Sequence, residues 1–227
     1  MKIGVISDIH GNSIALQAVL EDMPNVDSIL CLGDIVGYGP NPSQCVELVR
    51  KNTTSSLKGN HEMYLYTPSK ADHNHAAYQG ILHAKDVLTP DQLKWARDRP
   101  QSTTVDDTLL IAHGHPNSKN PYDYVLPENV TELVPYFDGN ALMATGHSHH
   151  QFKQDLSKFP GDGGLYFNPG SVGQPRDGDP KAAYAVVDTE TTAVDLRRTE
   201  YDIKSAQERF RQTELPEISA KRLENGK

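Results

Sequence analysis

The sequence predicts an α/β protein in which a parallel sheet comes first and a strand-rich half follows. Three observations predict this fold class. Apolar strand-like runs alternate with helical patterns over the first 60 residues, apolar runs return from Thr108, and apolar residues recur with a period near two after residue 150. With 227 residues, 37% of them hydrophobic, the chain fits one domain that can bury a sizeable core.

Strands and helices alternate in the first half. Residues 2–7 form a short apolar, β-branched run, and residues 12–23 place apolar side chains at helical spacing. Asn12 or Ser13 can cap this helix. The order strand, helix, strand, helix, strand is typical of a parallel sheet. The predicted elements are strands at 2–7, 27–34 and 53–60 and helices at 12–23 and 42–51.

The second half is predicted to contain more strands, which we expect to be antiparallel after residue 150. Residues 61–100 are helical but less regular. We predict one domain at 1–203, and a polar helix or tail at 204–227 that is interrupted by Pro216 and partly disordered. The remaining predicted elements are strands at 108–114, 140–147, 151–156, 164–172, 182–189 and 192–201, a polar loop at 117–129 and a helix-like stretch at 128–137.

Composition excludes some classes of function. A formal net charge of -8 argues against general binding to nucleic-acid backbones. No apolar run approaches the roughly 18 residues of a membrane span, and the N-terminal residues lack the apolar region of a signal peptide. Cys31 and Cys45 have no metal-binding or redox spacing, so we expect buried, reduced thiols and a cytoplasmic location. A homo-oligomer is left open.

Polar residues of the metal-binding type follow the predicted strands. Ligands of open α/β sheets bind outside the carboxyl ends of the strands, so these side chains are expected to converge at one edge. Carboxylate, amide and imidazole groups give mixed nitrogen and oxygen ligation, which suits Mn, Fe, Zn or Ni better than Ca. The set is about right for two ions that share a carboxylate. Its members are Asp8, His10, Asp34, Asn60, His61, His113, His147 and His149.

Other histidines are interpreted differently. We expect His73, His75 and His83 at the surface. In the tract ATGHSHHQF, an extended segment would point His147 and His149 into the site and His150 away from it.

Five motifs in order, SDIHGN, GDIVGYGP, GNHE, HGHP and GHSH, resemble those of the calcineurin-like metallophosphoesterase superfamily. The segment NPGSVGQPRDGDPKAAYAVVD extends the likeness to Asp188, and small bacterial and archaeal phosphodiesterase-type members are the most similar. The resemblance implies a four-layer αββα sandwich, with two mixed β-sheets flanked by helices and a dinuclear metal site at the strand ends.

Roles in the site are also implied by the resemblance. Asp34 would bridge two divalent ions, of which Mn is the first choice. His61 would stay off the metals, face the phosphate and act as the catalytic histidine. Tyr38, His115 and Arg176 are candidate substrate contacts. The alternatives are that Tyr38 packs its loop, that His115 supports the loop or a ligand, and that Arg176 forms a surface ion pair. The first ion would be bound by Asp8, His10 and His149, and the second by Asn60, His113 and His147.

The resemblance implies hydrolysis of phosphodiester or phosphoanhydride bonds by a metal-bridging hydroxide that attacks phosphorus in line. Small phosphate esters, dinucleoside polyphosphates and cyclic nucleotides are possible substrates. Glu62 stands where such phosphodiesterases usually have Asp, and GNHE also occurs in protein phosphatases. However, GDIVGYGP lacks the arginine of the phosphatase loop GDxVDRG, and Ser7 replaces the glycine of GDxHG. A phosphomonoesterase, a Ser/Thr protein phosphatase and a non-catalytic scaffold remain alternatives.

Overall fold

The computed structural model describes residues 1–117 and 119–227. Its helices are α1 (Ser13–Asp22), α2 (Pro42–Asn52), α3 (Asn60–Tyr64), α4 (His75–Val87), α5 (Pro90–Arg97), α6 (Ile203–Arg211) and α7 (Glu217–Arg222), with 3-10 helices at Pro68–Ala71 and Val130–Tyr136. Its strands are β1 (Lys2–Ile6), β2 (Ser28–Cys31), β3 (Ser55–Ser56), β4 (Ser102–Val105), β5 (Leu109–Ala112), β6 (Leu142–Thr145), β7 (Gln151–Asp155), β8 (Leu165–Pro169), β9 (Ala182–Asp188) and β10 (Ala193–Thr199).

Two mixed five-stranded sheets form the centre of the protein. The first has the order β10-β9-β1-β2-β3, in which β1, β2 and β3 are parallel and β9 and β10 are antiparallel to their neighbours. The second has the order β4-β5-β6-β8-β7, in which β5, β6 and β8 are parallel and the edge strands β4 and β7 are antiparallel. The predicted sandwich of two mixed sheets flanked by helices is confirmed.

Alternating side chains along the strands separate two apolar layers. Ile3 and Val5 of β1 face the second sheet, where they belong to one buried cluster with Ile111 and Phe167. The next side chain, Ile6, lies in the cluster that the helices cover. This alternation follows from the period of two in a strand. Both faces of the first sheet are therefore buried, one against the second sheet and the other against the helices.

Helix α1 begins directly after the loop that follows β1. Asn12 is its N-cap, and its side-chain oxygen accepts a hydrogen bond from the Ala15 amide at 3.1 Å. The side-chain nitrogen of Asn12 donates to the Gly173 carbonyl at 3.1 Å. One residue therefore both starts the helix and ties the loop after β1 to residues beyond β8.

The predicted third strand is mostly wrong. Of residues 53–60, only Ser55 and Ser56 pair with β2, and Asn60 and His61 begin α3. The Glu62 side chain accepts a hydrogen bond from the Gly59 amide, which caps the new helix. Strand β4 was not predicted. Strand β8, expected to be antiparallel, is antiparallel to β7 but parallel to β6.

Helices α6 and α7 lie within residues 203–227, and for 204–227 the sequence predicted a polar helix or tail that is partly disordered. Phe210, Ala220 and Leu223 are buried together and pack against Ile14 and other partly buried side chains. Amphipathic burial of this kind stabilises short helices that would not form alone. The domain boundary at residue 203 stays a prediction. Within the described residues, no helix has the length and apolar character needed to cross a membrane.

Candidate metal centre

The seven predicted metal ligands converge at one end of the two sheets. They follow β1, β2, β5 and β6 or lie in the first turn of α3, and each is at least 93% buried. Because the parallel strands of both sheets end on the same side, residues far apart in sequence meet there. The set is Asp8, His10, Asp34, Asn60, His113, His147 and His149.

Asp34 lies at the centre of this cluster. Its Oδ2 atom is 3.4 Å from Nε2 of His113, 3.7 Å from Nε2 of His10 and 4.0 Å from Nε2 of His61. Three imidazoles from three different segments therefore face one carboxylate oxygen. This is the arrangement in which a carboxylate can serve two neighbouring ions.

Donor atoms in the cluster form overlapping groups. On one side of Asp34, Nε2 of His149 is 3.5 Å from Oδ1 of Asp8 and 3.1 Å from Nε2 of His10. On the other side, Nε2 of His113 is 3.2 Å from Oδ1 of Asn60. The groups whose donor atoms all lie within 4.8 Å of one another are Asp8–His10–His149, His10–Asp34–His61 and Asp34–His113–His147.

Backbone carbonyls orient three of the imidazoles. Nδ1 of His10 lies 3.1 Å from the Val36 carbonyl, Nδ1 of His113 lies 2.9 Å from that of Leu32, and Nδ1 of His149 lies 2.6 Å from that of Gln174. A carbonyl only accepts, so each Nδ1 carries a proton, and in the neutral form of each ring Nε2 presents a lone pair to the cluster. This orientation suits metal binding through Nε2.

His147 also offers a ring nitrogen to the cluster. One of its two nitrogens belongs to the group with Asp34 and His113, and its Nδ1 is buried without a hydrogen-bond partner in the described part of the chain. A buried imidazole nitrogen without a partner is costly, and a cation would satisfy it. The donor set thus fits divalent transition metals on chemistry and on geometry.

The pKa values of three residues in the cluster are shifted strongly from their usual ranges. Burial raises the pKa of Asp8 to about 7, against the opposing effect of His113. Burial would also raise the pKa of Asp34, but His113 and His61 outweigh it and hold that pKa well below its usual range. Burial would lower the pKa of His113, yet Asp34 raises it to about 9. Asp34 therefore carries the negative charge of the metal-free cluster.

Left-handed backbone marks the loops of the site. Single non-glycine residues with positive φ cost of order 1 kcal/mol or more and persist where the surrounding structure holds them. The extended segment predicted for His147 and His149 is therefore wrong, since both residues are left-handed and still reach the cluster. The left-handed residues here are Asp8 (54°), His10 (48°), Asp34 (51°), Tyr38 (55°), His147 (65°) and His149 (59°).

His61 lies beside the cluster on the first turn of α3. Its amide donates to Oδ1 of Asp34 at 2.9 Å, and its ring lies 4.6 Å from that of His10 and 4.9 Å from that of Tyr38. Burial lowers the pKa of His61 to about 4, against the opposing effect of Asp34. The imidazole is therefore neutral at pH 7 in the metal-free protein.

A cleft of about 210 Å³ opens above the cluster. Tyr38 and Arg176, two of the three candidate substrate residues, line it. His115 does not; in the described structure it lies in a smaller cavity behind Tyr122 and packs edge-on against Tyr136. The position of His115 in the motif HGHP could not indicate this location.

Arg176 and Tyr38 contact each other at the wall of the cleft. The guanidinium carbon of Arg176 lies 5.6 Å from the centre of the Tyr38 ring, and one of its nitrogens donates to the Gln174 side chain at 2.8 Å. The Arg176 amide donates to the carbonyl of His149 at 3.2 Å. The segment that orients His149 therefore also places a cation over the cleft.

Several residues of the cleft were not predicted. The Tyr124 ring stacks on His147 at 4.4 Å with an angle of 10°, and Tyr64 and Tyr122 also line the opening. His73, expected at the surface, is exposed at the same opening. For Tyr122 and Tyr124, the only signal was the presence of tyrosine in the polar loop before residue 130, which does not show where the loop folds. Nδ1 of His150 lies 2.7 Å from the carbonyl of Ser148, and His150 belongs to none of the donor groups given above.

Comparison with known proteins identifies the family. Residues 1–192 match the calcineurin-like phosphoesterase superfamily domain, so the chain belongs to this family. The structure is similar to the crystal structure of a metallophosphoesterase from Sphaerobacter thermophilus, with a TM-score of 0.86, 35% identity and full coverage of both chains.

Two relatives match over most of their length. An uncharacterized protein of Methanocaldococcus jannaschii is 37% identical, covering 97% of this chain and 96% of its own. The phosphodiesterase YfcE of Escherichia coli is 25% identical, covering 86% of this chain and 91% of its own. The predicted resemblance to this superfamily, and to its phosphodiesterase-type members, is confirmed.

Proposed function

We propose that the protein is a dinuclear metal-dependent phosphoesterase that hydrolyses phosphodiester or phosphoanhydride bonds in small substrates, nucleotide-type molecules among them. One observation carries the proposal. Seven buried nitrogen and oxygen donors and His61 converge beneath a cleft that Arg176 lines, in a chain of the phosphoesterase family.

Metal ions would be held by the two groups of donors on either side of Asp34. When bound, two divalent cations lower the pKa of water and neutralise charge that builds up on the phosphate. Mn fits the mixed imidazole and carboxylate set, as do Fe, Zn and Ni. The protein's own contribution is the fixed orientation of His10, His113 and His149 by backbone carbonyls.

His61 would contact the phosphate rather than a metal. Its neutral imidazole can donate one N–H to a phosphoryl oxygen, and a bound phosphate would favour the protonated form that supplies a proton to the leaving oxygen. Its backbone bond to Asp34 fixes where the ring lies relative to the donors. Donors of this kind contribute about 10²- to 10⁴-fold to the rate.

Arg176 would provide the phosphate contact that the loop after β2 lacks. Tyr38 stands at the arginine position of the phosphatase motif, and its ring lies under the guanidinium of Arg176. An arginine from a different segment would then bind phosphate oxygens with two N–H groups. This difference, with the likeness to YfcE, favours a phosphodiesterase over a protein phosphatase.

The experiment is an assay of Mn-loaded protein on bis-p-nitrophenyl phosphate, p-nitrophenyl phosphate and diadenosine tetraphosphate. We expect turnover of a diester or anhydride, a loss of about 100-fold or more in kcat for His61→Ala, and a similar loss for Asp34→Asn. Arg176→Ala should raise KM or lower kcat, whereas Arg209→Ala, an exposed arginine of α6, should change neither.

Different outcomes separate the alternatives. Faster turnover of the monoester than of both other substrates would favour a phosphomonoesterase. Unchanged activity in Asp34→Asn would contradict the shared-carboxylate site. No turnover of any ester by the wild-type protein, with metal bound, would favour a scaffold role.

A further inference from the structure

Glu62 is a buried carboxylate that the proposed chemistry does not use. It is 1% exposed, and its two oxygens accept four backbone N–H groups. Oε2 accepts from Gly59 at 2.7 Å and from Asp34 at 2.9 Å, and Oε1 accepts from Ile35 at 2.8 Å and from Val36 at 3.2 Å. These donors belong to two segments, the loop after β2 and the start of α3.

Helix capping explains only one of these bonds. A capping box requires the contact with the Gly59 amide, three residues before Glu62. The other three bonds cross to a loop more than 25 positions earlier in the chain. Glu62 therefore links the two segments rather than merely starting a helix.

Both linked segments carry residues of the metal centre. The loop holds Asp34 in a left-handed conformation, with φ of 51°, and such a residue keeps its conformation only when its surroundings enforce it. The start of α3 carries Asn60 and His61, and the His61 amide bonds to Oδ1 of Asp34 at 2.9 Å. The position of the central carboxylate relative to Asn60 and His61 thus depends on how the segments are joined.

The chemistry of the contact favours a carboxylate of this length. A carboxylate only accepts hydrogen bonds, so both oxygens suit a cradle made solely of N–H donors. Glutamine would turn an NH₂ group toward those donors, and aspartate is one methylene shorter. None of the ion pairs in the described residues includes Glu62, although a buried carboxylate without a cation is costly.

We propose that Glu62 is a positioning residue that fixes the loop of Asp34 against the first turn of α3 and so sets the spacing between the two metal positions. The inference rests on the proposed dinuclear site for its effect on turnover. The spacing itself can be measured without turnover, so the two proposals can fail separately.

The test compares Glu62→Gln, Glu62→Asp and the control Glu47→Gln, a partly exposed glutamate of α2 that accepts from Arg50 and Gln92. Each protein is titrated with Mn²⁺, its electron paramagnetic resonance spectrum is recorded, and kcat and KM are measured on bis-p-nitrophenyl phosphate. Wild type and the control should show the spectrum of two coupled Mn²⁺ ions.

We expect Glu62→Gln to lose that coupled spectrum, to bind Mn²⁺ roughly 10- to 100-fold more weakly and to lose kcat with little change in KM. Glu62→Asp should recover part of the coupling, because it keeps the charge. A coupled spectrum and Mn²⁺ affinity equal to wild type in Glu62→Gln would overturn the proposal, whether or not the wild type turns over any ester.

Hydrogen exchange on the wild-type protein tests the same contact if the variants do not fold. The amides of Asp34, Ile35, Val36 and Gly59 should be protected in the metal-free protein, because Glu62 accepts from all four. Exchange of these four amides at the rate of open loops would overturn the proposal.

Discussion

Metal binding is expected to release protons, because two proposed ligands hold protons in the metal-free protein near neutral pH. Burial raises the pKa of Asp8 to about 7, and Asp34 raises that of His113 to about 9 in spite of its burial. A metal ion binds only the carboxylate and the neutral imidazole, so both protons must leave. Lower pH therefore weakens binding.

The expected magnitude follows from these two pKa values. Near pH 6 both groups are largely protonated, and binding of two ions should release about 2 protons. Near pH 8 only His113 is still mostly protonated, and about 1 proton should leave. Between these pH values the overall affinity for the ion pair should fall about 10³-fold as pH decreases.

Isothermal titration of Mn²⁺ into metal-free protein, in buffers with different heats of ionisation, measures the protons released. Asp8→Asn should release about one proton fewer than wild type near pH 6. Asp195→Asn, an exposed aspartate of β10, is the control and should release as many as wild type. Release of less than about half a proton near pH 6 would refute the reasoning, because it would mean that neither group holds a proton in the cluster.

Three further substitutions probe the fold and the site. Gly80→Ala in α4 would place Cβ in a steric clash with the Tyr38 amide nitrogen. Overpacking of about 1–3 kcal/mol should outweigh the roughly 1 kcal/mol that alanine contributes in a helix. Thermal denaturation should therefore show a lower Tm rather than a higher one. Phe210→Ala should lower the free energy of unfolding by about 3–5 kcal/mol in urea, and no change would mean that α6 is not docked. His150→Ala should leave Mn²⁺ affinity unchanged while His149→Ala abolishes one site, and equal losses would contradict the ligand assignment.

The sequence predicted the position of the site better than its detailed shape. Strands β1, β2, β5 and β6 are short apolar runs that end at a carboxylate or imidazole residue, with glycine beside that residue after β2, β5 and β6. These local signals placed Asp8, Asp34, His113 and His147 at one edge. Periodicity and strand direction are enough for that conclusion, because parallel strands end together.

Details that depend on long-range pairing or backbone strain were not predictable. Residues 53–60 look like a strand, but the cap at Gly59 ends the extended run and begins α3. Left-handed backbone at His147 and His149 has no signal in side-chain type, since glycine is the residue expected there. Tyr124 reaches His147 through the folding of a polar loop, and no local pattern specifies such a path.

The most direct test of the proposed site is a crystal structure of the Mn-loaded protein with anomalous diffraction data. We expect two anomalous peaks about 3.5–4 Å apart, with the Asp34 carboxylate between them, Asp8 beside one and His113 beside the other. A single peak, or two peaks of which only one touches Asp34, would contradict it.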